Sequence, residues 1–244
     1  MVLRNLKARY RQTVLGAAWA VVQPLALVGV LVVVAERLIQ IPSDGVPYPL
    51  FALAALVPWT LFSQSLTIAT ESVVRDLNLV SKVFVPRLIL PLAAVGALLL
   101  DFLIALAILF VAMAIYSTSP GPDALLWVPL LSVLAVAVSV AVAVWLSAMM
   151  VLYRDVRAMI PVLVQIWLFA TPLAYPASLL SEPWRTVFGV NPMSGIVEGF
   201  RATLLGTGPV ATAMLGVSAF VTLMLLSGAL VYFRRVDRIF ADVI

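Results

Sequence analysis

Long apolar runs separated by short polar segments follow one another along the chain, and this pattern predicts six membrane-spanning helices. A helix needs ~20 apolar residues to cross ~30 Å of hydrocarbon. The predicted spans are residues 14–35, 50–69, 88–116, 125–152, 159–175 and 210–233, the first interrupted by Gln23-Pro24. The sequence therefore predicts an all-α integral membrane fold that forms one transmembrane domain over residues 1–244.

The segment between the last two predicted spans, residues 176–209, is moderately apolar and is broken by Pro183 and Pro192. It is too interrupted for a span and too apolar for an ordinary loop. Irregular backbone at membrane depth is tolerated where it faces protein or a water-filled cavity. We therefore predict a pair of short re-entrant or interfacial helices here, at the outer end of the molecule.

Residues 1–12 have the spacing of an interfacial helix. At 100° per residue Leu3, Leu6 and Tyr10 share one arc, and basic residues occupy the next. Such a helix lies in the headgroup plane with its basic side toward anionic lipid. A basic flank that only sets the topology is the alternative.

The segment 71–87 has a similar amphipathic character. Its apolar positions at helical spacing are Val73, Leu77, Val80 and Phe84, and its polar positions are Glu71, Arg75, Asn78 and Lys82. A helix outside the bilayer needs something to cover its apolar side. A cytoplasmic partner protein would do so, and the bilayer surface or the protein's own helix ends are the alternatives.

The overall composition excludes an ordinary soluble domain. Apolar residues make up 64% of the chain and the mean hydropathy is +1.16, whereas a soluble domain contains ~45–50% apolar residues. A soluble fold of this length has too little interior to bury so much apolar surface.

The basic residues fix a predicted orientation. Of the 15 Lys and Arg residues, three lie in segments on one side of the predicted spans, namely Arg37, Arg185 and Arg201. The other twelve are Arg4, Lys7, Arg9, Arg11, Arg75, Lys82, Arg87, Arg154, Arg157, Arg234, Arg235 and Arg238. Cytoplasmic loops carry the excess of Lys and Arg, which predicts a multi-pass protein with both termini in the cytoplasm. Because this topology explains the charge, we expect membrane lipid and no nucleic acid as a partner.

The chemistry available to the chain is narrow. It contains neither Cys nor His, so thiolate and imidazole nucleophiles, imidazole bases and the usual zinc ligands are missing. Its only lysines, Lys7 and Lys82, lie outside any Gly-rich phosphate-binding turn, and no nucleophile elbow is present. We expect no catalytic residues, no metal and no cofactor in this chain, which points to a transporter or channel subunit.

Asp101 is an acid within the third predicted span. An isolated ionised carboxylate at that depth is costly, so it must meet a partner or water, or be protonated. A proton or cation relay is one interpretation. A hydrogen bond between helices is favoured, because Ala93, Ala97 and Ala105 form a small-residue packing face around it.

Two further groups invite a functional interpretation. Glu198 and Arg201 are three residues apart in a predicted helix and are expected to pair. Their pair belongs either to a gate or to an ordinary interfacial ion pair. Aromatic residues near the span ends are usually interface anchors, and stacking on sugar rings is the sharper alternative. These aromatic residues are Trp59, Phe62, Trp167, Phe169, Tyr175 and Trp184.

Several motifs in order along almost the whole chain resemble one family, the permease subunits of ABC-2-type exporters, in the branch that exports O-antigen, capsule and teichoic-acid polysaccharides. They are LKARYRQTVLG at 6–16 followed by Trp19 and Gln23-Pro24, IPSDGVPYP at 41–49, Pro58-Trp59, NLVSKVFVPR at 78–87, YRDVR at 153–157, PLAYP at 172–176, NPM at 191–193, residues 198–201 and FADVI at 240–244. Members of the family commonly carry further residues before the first of these motifs.

The resemblance implies a homodimer that works with two copies of a separate P-loop ATPase, which binds the ATP and Mg. Segment 71–87 would be the coupling loop. The implied ATPase-coupling residues are Arg75, Asp76, Leu77, Leu79, Val80, Lys82, Arg154, Asp155 and Arg157. The implied translocation path consists of Trp59, Phe62, Gln64, Gln165, Trp167 and Phe169. The implied outer gate consists of Tyr175, Asn191, Glu198 and Arg201.

The substrate implied by the resemblance is a polyprenyl-diphosphate-linked glycan that enters from the cytoplasmic leaflet of the bacterial cytoplasmic (inner) membrane. Its diphosphate, or lipid headgroups, would meet Arg4, Lys7, Arg9 and Arg11 by charge attraction. The alternatives are an ABC-2 exporter of drugs or small lipids, a secondary transporter, and a membrane scaffold without transport activity. A secondary transporter needs sites for coupling ions, and the scarcity of intramembrane charge argues against it.

Overall fold

The computed structural model describes Val2, residues 19–75 and residues 86–243, and the side chains of residues 19, 20 and 238–243 are outside this description. The predicted interfacial helix lies almost entirely outside the described residues, and so do Arg4, Lys7, Arg9 and Arg11. The same holds for the central part of the predicted coupling loop, with Asp76, Leu77, Leu79, Val80 and Lys82.

The described chain folds into helices joined by short connections. The helices are α1 (Trp19–Leu31, continued by a π-helical stretch Val32–Leu38), α2 (Tyr48–Gln64, continued likewise by Ser65–Ala69), α3 (Ser72–Arg75), α4 (Ile89–Ile115), α5 (Ala124–Leu152), α6 (Val156–Ala170), α7 (Trp184–Val187), α8 (Pro192–Leu205) and α9 (Thr212–Val243). Short 3₁₀ turns at Ala177–Leu179 and Phe188–Val190 flank α7.

Among the described residues, five helices are long and apolar enough to cross a membrane: Val21–Leu38, Tyr48–Ala69, Ile89–Ile115, Ala124–Leu152 and Thr212–Asp237. They correspond to five of the six predicted spans. The chain is therefore a multi-pass, all-helical membrane protein in the part described.

The predicted span 159–175 is a shorter helix, α6, of 15 residues. At ~1.5 Å per residue it is about 22 Å long, less than the ~30 Å of a bilayer core. It ends because Pro172 disfavours helical backbone at the residue before it, and Thr171 is extended with φ −104° and ψ 139°. The sequence remains apolar up to Tyr175, so the hydropathy pattern placed the end of this helix five residues too late.

Helix α8 lies at the centre of the bundle, in contact with α2, α5 and α9. Almost all of its side chains are buried. The close approach depends on glycine: a Cβ on Gly199 would lie 2.7 Å from Leu131 Cδ2, and one on Gly195 would overlap the hydroxyl of Ser218. The predicted segment 176–209 does contain short helices, and its longest helix forms part of the protein core.

The segments that connect the helices are joined by polar contacts at both ends of the bundle. At one end Arg87 pairs with Asp237 (3.2 Å) and Arg157 pairs with Glu71 (3.1 Å). This is the end of the molecule where segments rich in Arg meet, and we call it the basic end. At the opposite end Ser178 donates a hydrogen bond to Asp44 (2.8 Å). The described Arg-containing segments that the charge distribution assigned to the cytoplasmic side therefore lie at the same end of the bundle.

Asp101 lies within α4 and is 8% exposed. The small-residue face predicted around it is buried, since Ala93, Ala97 and Ala105 are at most 5% exposed. Helix α4 packs on α2 and α5. The predicted packing face is therefore confirmed, while the choice between a relay and a structural role for Asp101 remains a prediction.

Candidate functional site

Helix α8 carries the predicted gate pair, and both of its ends are defined by sequence. Asn191 caps its start, accepting a hydrogen bond from Met193 N (3.1 Å), and Pro192 occupies the first turn. Gly206 ends it in the left-handed conformation with φ 68°. On this helix Arg201 Nη1 lies 2.8 Å from Glu198 Oε1, so the pairing expected from their spacing is confirmed.

Arg201 is fully buried and is surrounded by acceptors. Its guanidinium also lies 3.5 Å above the centre of the Phe51 ring, a cation–π contact that gains strength from the absence of water. Besides Glu198 it donates to backbone oxygens of Phe51 (3.2 Å), Pro172 (2.6 Å), Leu173 (2.7 Å) and Tyr175 (3.2 Å).

These contacts make Arg201 a cross-link between three parts of the chain. Residues 172–175 follow α6 and contain carbonyl groups without a helical partner, and the guanidinium satisfies them while α2 packs beneath it. Burial lowers the pKa of Arg201, and the neighbouring Glu198 carboxylate raises it again. Sequence reasoning found the pair and missed the carbonyl ligands. The available signal was the turn Pro172–Pro176, whose proline residues remove backbone donors and leave acceptors unpaired.

Tyr48 and Tyr175 border the same cluster. The Tyr48 hydroxyl donates to Ala174 O (2.8 Å), which ties the start of α2 to the segment after α6. Tyr175 joins the cluster through its backbone oxygen, which accepts a hydrogen bond from Arg201 Nη1 (3.2 Å). The predicted gate residues Tyr175, Glu198 and Arg201 thus belong to one contiguous polar cluster, which we call the gate cluster.

Asn191, the remaining predicted gate residue, joins α6 to α8. Its Oδ1 accepts from Trp167 Nε1 (2.9 Å), and its Nδ2 donates to Ala170 O (2.9 Å) and to Thr171 Oγ1 (2.9 Å). The Asn191 side chain therefore forms hydrogen bonds with the end of α6 and with the first turn of α8. Sequence analysis placed Trp167 on the path and Asn191 in the gate, and the structure connects them directly.

An aromatic row links Trp167 to α2. The Phe62 ring lies 4.8 Å from the Trp167 ring in an edge-to-face arrangement and 5.6 Å from the Trp59 ring. Trp59 and Phe62 are buried inside the helix bundle, whereas Gln165 and Phe169 on α6 are exposed and Gln64 is half-buried. The six predicted path residues thus divide into an inner aromatic group and an outward-facing group, and their role in translocation stays a prediction.

At the basic end the two predicted coupling segments meet. Arg157, at the start of α6, pairs with Glu71, at the beginning of segment 71–87, at 3.1 Å. Arg75, Arg154 and Asp155 are exposed nearby in sequence. The described residues of the coupling prediction are therefore accessible, and their role in binding another protein stays a prediction.

A polar cavity of about 350 Å³ lies at the opposite end, beside the Glu198 carboxylate. Asp44, Ser178, Glu182 and Arg185 contribute to its lining. Across the described residues no group of three or more His, Cys, Asp or Glu side chains is arranged to hold a metal ion. The cavity offers carboxylate, hydroxyl and guanidinium groups, which suit a ligand that hydrogen-bonds through many positions.

The bundle of long apolar helices carries a polar cluster at one end and an Arg-rich surface at the other, which is the architecture of a multi-pass membrane protein. The ABC-2 type transporter family matches residues 1–205, and the chain belongs to that family.

Similarity to two O-antigen export permeases extends this result. The chain is 24% identical over 243 residues to the O-antigen export system permease protein RfbA of Klebsiella pneumoniae, covering 99% of this chain and 92% of that protein. It is 30% identical over 206 residues to the protein of the same name from Myxococcus xanthus, covering 83% of this chain and 77% of that protein. The family and branch that the sequence motifs predicted are confirmed.

Proposed function

We propose that this chain is the membrane-spanning permease subunit of an ATP-driven exporter that moves a lipid-linked polysaccharide from the cytoplasmic to the outer face of the bacterial inner membrane. The observation that carries the proposal is the match to O-antigen export permeases over nearly the full length of both proteins.

The proposed topology has six spans with both termini in the cytoplasm. Helix α6 and the residues that follow it would form the fifth span, since α6 begins at the basic end and its last turn is bonded to Asn191 near the opposite cluster. Supporting this orientation, the ion pairs Arg87–Asp237 and Arg157–Glu71 gather Arg-containing connections at one end, as expected for the cytoplasmic side.

ATP would be hydrolysed by a separate P-loop subunit present in two copies, with Mg bound there. Its docking surface on this chain would comprise segment 71–87 together with Arg154, Asp155 and Arg157. The contact between Arg157 and Glu71 supports this, because a force applied to the first segment reaches the start of α6 directly. Helix α6 would then pass the movement to Asn191 and the gate cluster.

The permease would act as a homodimer with the translocation path between its two copies. Support comes from α6, which exposes an apolar stripe at helical spacing on the face turned away from its own bundle: Met159, Val162, Ile166 and Phe169, each more than half exposed. Gln165 lies beside this stripe and is also exposed. A second copy would cover the apolar part, and the polar and aromatic residues would border the path.

The polyprenyl-diphosphate group would enter near the basic N-terminal residues Arg4, Lys7, Arg9 and Arg11, which attract phosphate. The glycan would leave past the Glu198–Arg201 cluster and the cavity lined by Asp44 and Glu182. Carboxylate and hydroxyl groups there would exchange hydrogen bonds with sugar hydroxyls.

Two measurements test the function. Affinity purification of the chain from its native membrane should recover a near-stoichiometric P-loop ATPase, and recovery of the chain alone after crosslinking would contradict ATP-driven export. Deletion of the gene should remove polysaccharide from the cell surface and leave lipid-linked glycan inside the cell. Unchanged surface polysaccharide with increased sensitivity to drugs would favour the alternative, an ABC-2 exporter of drugs or small lipids.

A further inference from the structure

A crevice of about 390 Å³ opens between α5 and α9, toward the basic end. It is separate from the gate cluster, the aromatic row and the predicted coupling residues. Its lining combines two aromatic rings, a guanidinium and small or apolar groups: Trp145, Ser227, Gly228, Val231, Tyr232 and Arg235. The positions 228, 231, 232 and 235 share one face of α9.

The aromatic wall of the crevice is firmly built. The Trp145 and Tyr232 rings are stacked, with centres 4.8 Å apart and planes 17° from parallel. Trp145 Nε1 donates to Leu225 O at 2.9 Å. Gly228 lets the indole approach α9, since a Cβ there would lie 3.1 Å from Trp145 Cζ2. The indole is thus held in one orientation along the crevice.

Arg235 supplies the charge at the mouth of the crevice. Its side chain is exposed, and among the described side chains none forms an ion pair with it, because nearby Asp237 pairs with Arg87. Arg234 and Arg235 are the first charged residues after the apolar run of α9. That position is the depth at which lipid headgroups lie, and Trp and Tyr are enriched at the same level.

An apolar surface leads from the hydrocarbon region to the crevice. Phe220, Leu223, Met224 and Val231 on α9 are each more than half exposed. They recur at helical spacing, and Val231 also lines the crevice. A bound lipid would therefore find an apolar track for an acyl chain below a guanidinium that matches a phosphate group.

We propose that this crevice binds an anionic phospholipid, with the phosphate on Arg235 and an acyl chain along the exposed face of α9. The site is independent of the proposed transport cycle and would persist if the substrate were different. The aromatic pair packs against the glycerol region, and the guanidinium provides two parallel hydrogen bonds to phosphate oxygens.

The test is native mass spectrometry of the purified full chain in detergent, titrated with phosphatidylglycerol. Arg235→Gln should weaken binding about tenfold, the loss expected when charge-assisted hydrogen bonds are removed. Arg234→Gln is the matched control, because this neighbour is exposed and does not line the crevice, and it should leave binding unchanged. Arg235→Lys keeps the charge without the paired donors and should fall between the two.

Three outcomes would overturn the proposal. Equal losses for the Arg234 and Arg235 variants would mean diffuse surface attraction. No loss for either variant would mean that the crevice is not the site. Displacement of phosphatidylglycerol by farnesyl diphosphate, with the diphosphate bound more tightly and through Arg235, would assign the crevice to an isoprenoid diphosphate. Inorganic phosphate alone should compete weakly, since it lacks the acyl chain, and equal thermal unfolding of the variants confirms that they are folded.

Discussion

The indole Nε1 of Trp167 lies 2.9 Å from Oδ1 of Asn191, and this hydrogen bond joins the last turn of α6 to the first turn of α8. The same oxygen accepts from Met193 N, so one side-chain atom serves two donors. The amide nitrogen of Asn191 meanwhile satisfies Ala170 O at the end of α6. A single side chain thus holds together two helices that meet at the candidate gate.

Asn191→Ala should destabilise the protein by about 2 kcal/mol, because it removes a helix cap worth about 1 kcal/mol and leaves a partly buried indole N–H without its acceptor. Thermal unfolding in detergent measures the effect. Asn191→Asp keeps the acceptor and loses the donor, so it should cost less. An Asn191→Ala protein as stable as the parent would contradict the joining role.

Arg201→Met should be much more damaging than Glu198→Gln. Removing one partner of a buried ion pair costs about 3–5 kcal/mol, and the Arg201 variant also leaves carbonyls of residues 172–175 without their donor. Glu198→Gln leaves those backbone contacts in place. Expression yield and thermal unfolding provide the comparison, and equal losses for the two variants would show that the carbonyl contacts contribute little.

The double variant Glu198→Met with Arg201→Met extends this comparison. It removes both charges, so it should be more stable than Arg201→Met alone, although the carbonyls remain unsatisfied. Failure of the second substitution to recover any stability would mean that the charge of Glu198 is not the cause of the damage.

Charge reversal at the basic end should affect coupling far more than folding. Arg157 and Glu71 are both considerably exposed, and exposed pairs contribute about 0–1 kcal/mol to stability. In the proposed exporter, Arg157→Glu should lower ATP hydrolysis stimulated by substrate in reconstituted vesicles, while unfolding changes little.

The swapped double variant, Glu71→Arg with Arg157→Glu, restores the pair in the opposite sense and should recover part of the stimulation. If the single reversal and the swap are equally impaired, the contact between the residues is not what matters, and each side chain would act separately on the partner subunit.

Gly199→Ala should destabilise the bundle by about 1–3 kcal/mol through overpacking, because the new methyl meets Leu131 at 2.7 Å. Gly216→Ala on α9 is the matched control. That position has no heavy atom within 4 Å of the added Cβ, so the change should stabilise the helix by about 0.5–1 kcal/mol. Thermal unfolding of the two variants measures these effects. A Gly199→Ala protein as stable as the parent would mean that the contact between α8 and α5 is loose.

Asp101→Asn should be tolerated in transport, since the amide occupies the same space and can still hydrogen-bond across helices. Asp101→Leu should lower stability, because the buried face around it is built from small alanine side chains. A well-folded but inactive Asp101→Asn protein would instead support the proton or cation relay.

The sequence predicted the helices whose signal depends on length and composition alone. Spans such as α4 and α5 are long, uninterrupted apolar runs, and their existence followed from hydropathy. The predicted end of α6 was wrong because Pro172 disfavours helical backbone at Thr171, and hydropathy does not detect this effect. The deep burial of α8 was equally hidden, since its content of charged and small residues resembles that of a surface helix.

For the candidate site, the spacing of residues along the chain was enough to predict the Glu198–Arg201 pair. It was not enough to predict the groups that surround the pair. Pairs three or four residues apart on a helix can be inferred from sequence. The carbonyl ligands of Arg201 come from Phe51 and residues 172–175, which are distant in the chain. Likewise the burial of Trp59 and Phe62 depends on helix rotation, which is determined by packing between helices.

The packing of α8 against α2, α5 and α9 has a mechanical consequence. A helix enclosed by three others, with glycine at its closest contacts and Arg201 bonded to the backbone of its neighbours, does not tilt or slide by itself. We therefore expect these four helices to move as a block. In the proposed exporter, changes of shape should therefore fall on the helices outside the block, α1, α4 and α6, and spin labels placed on α6 and α9 should report distance changes that labels on α5 and α9 do not.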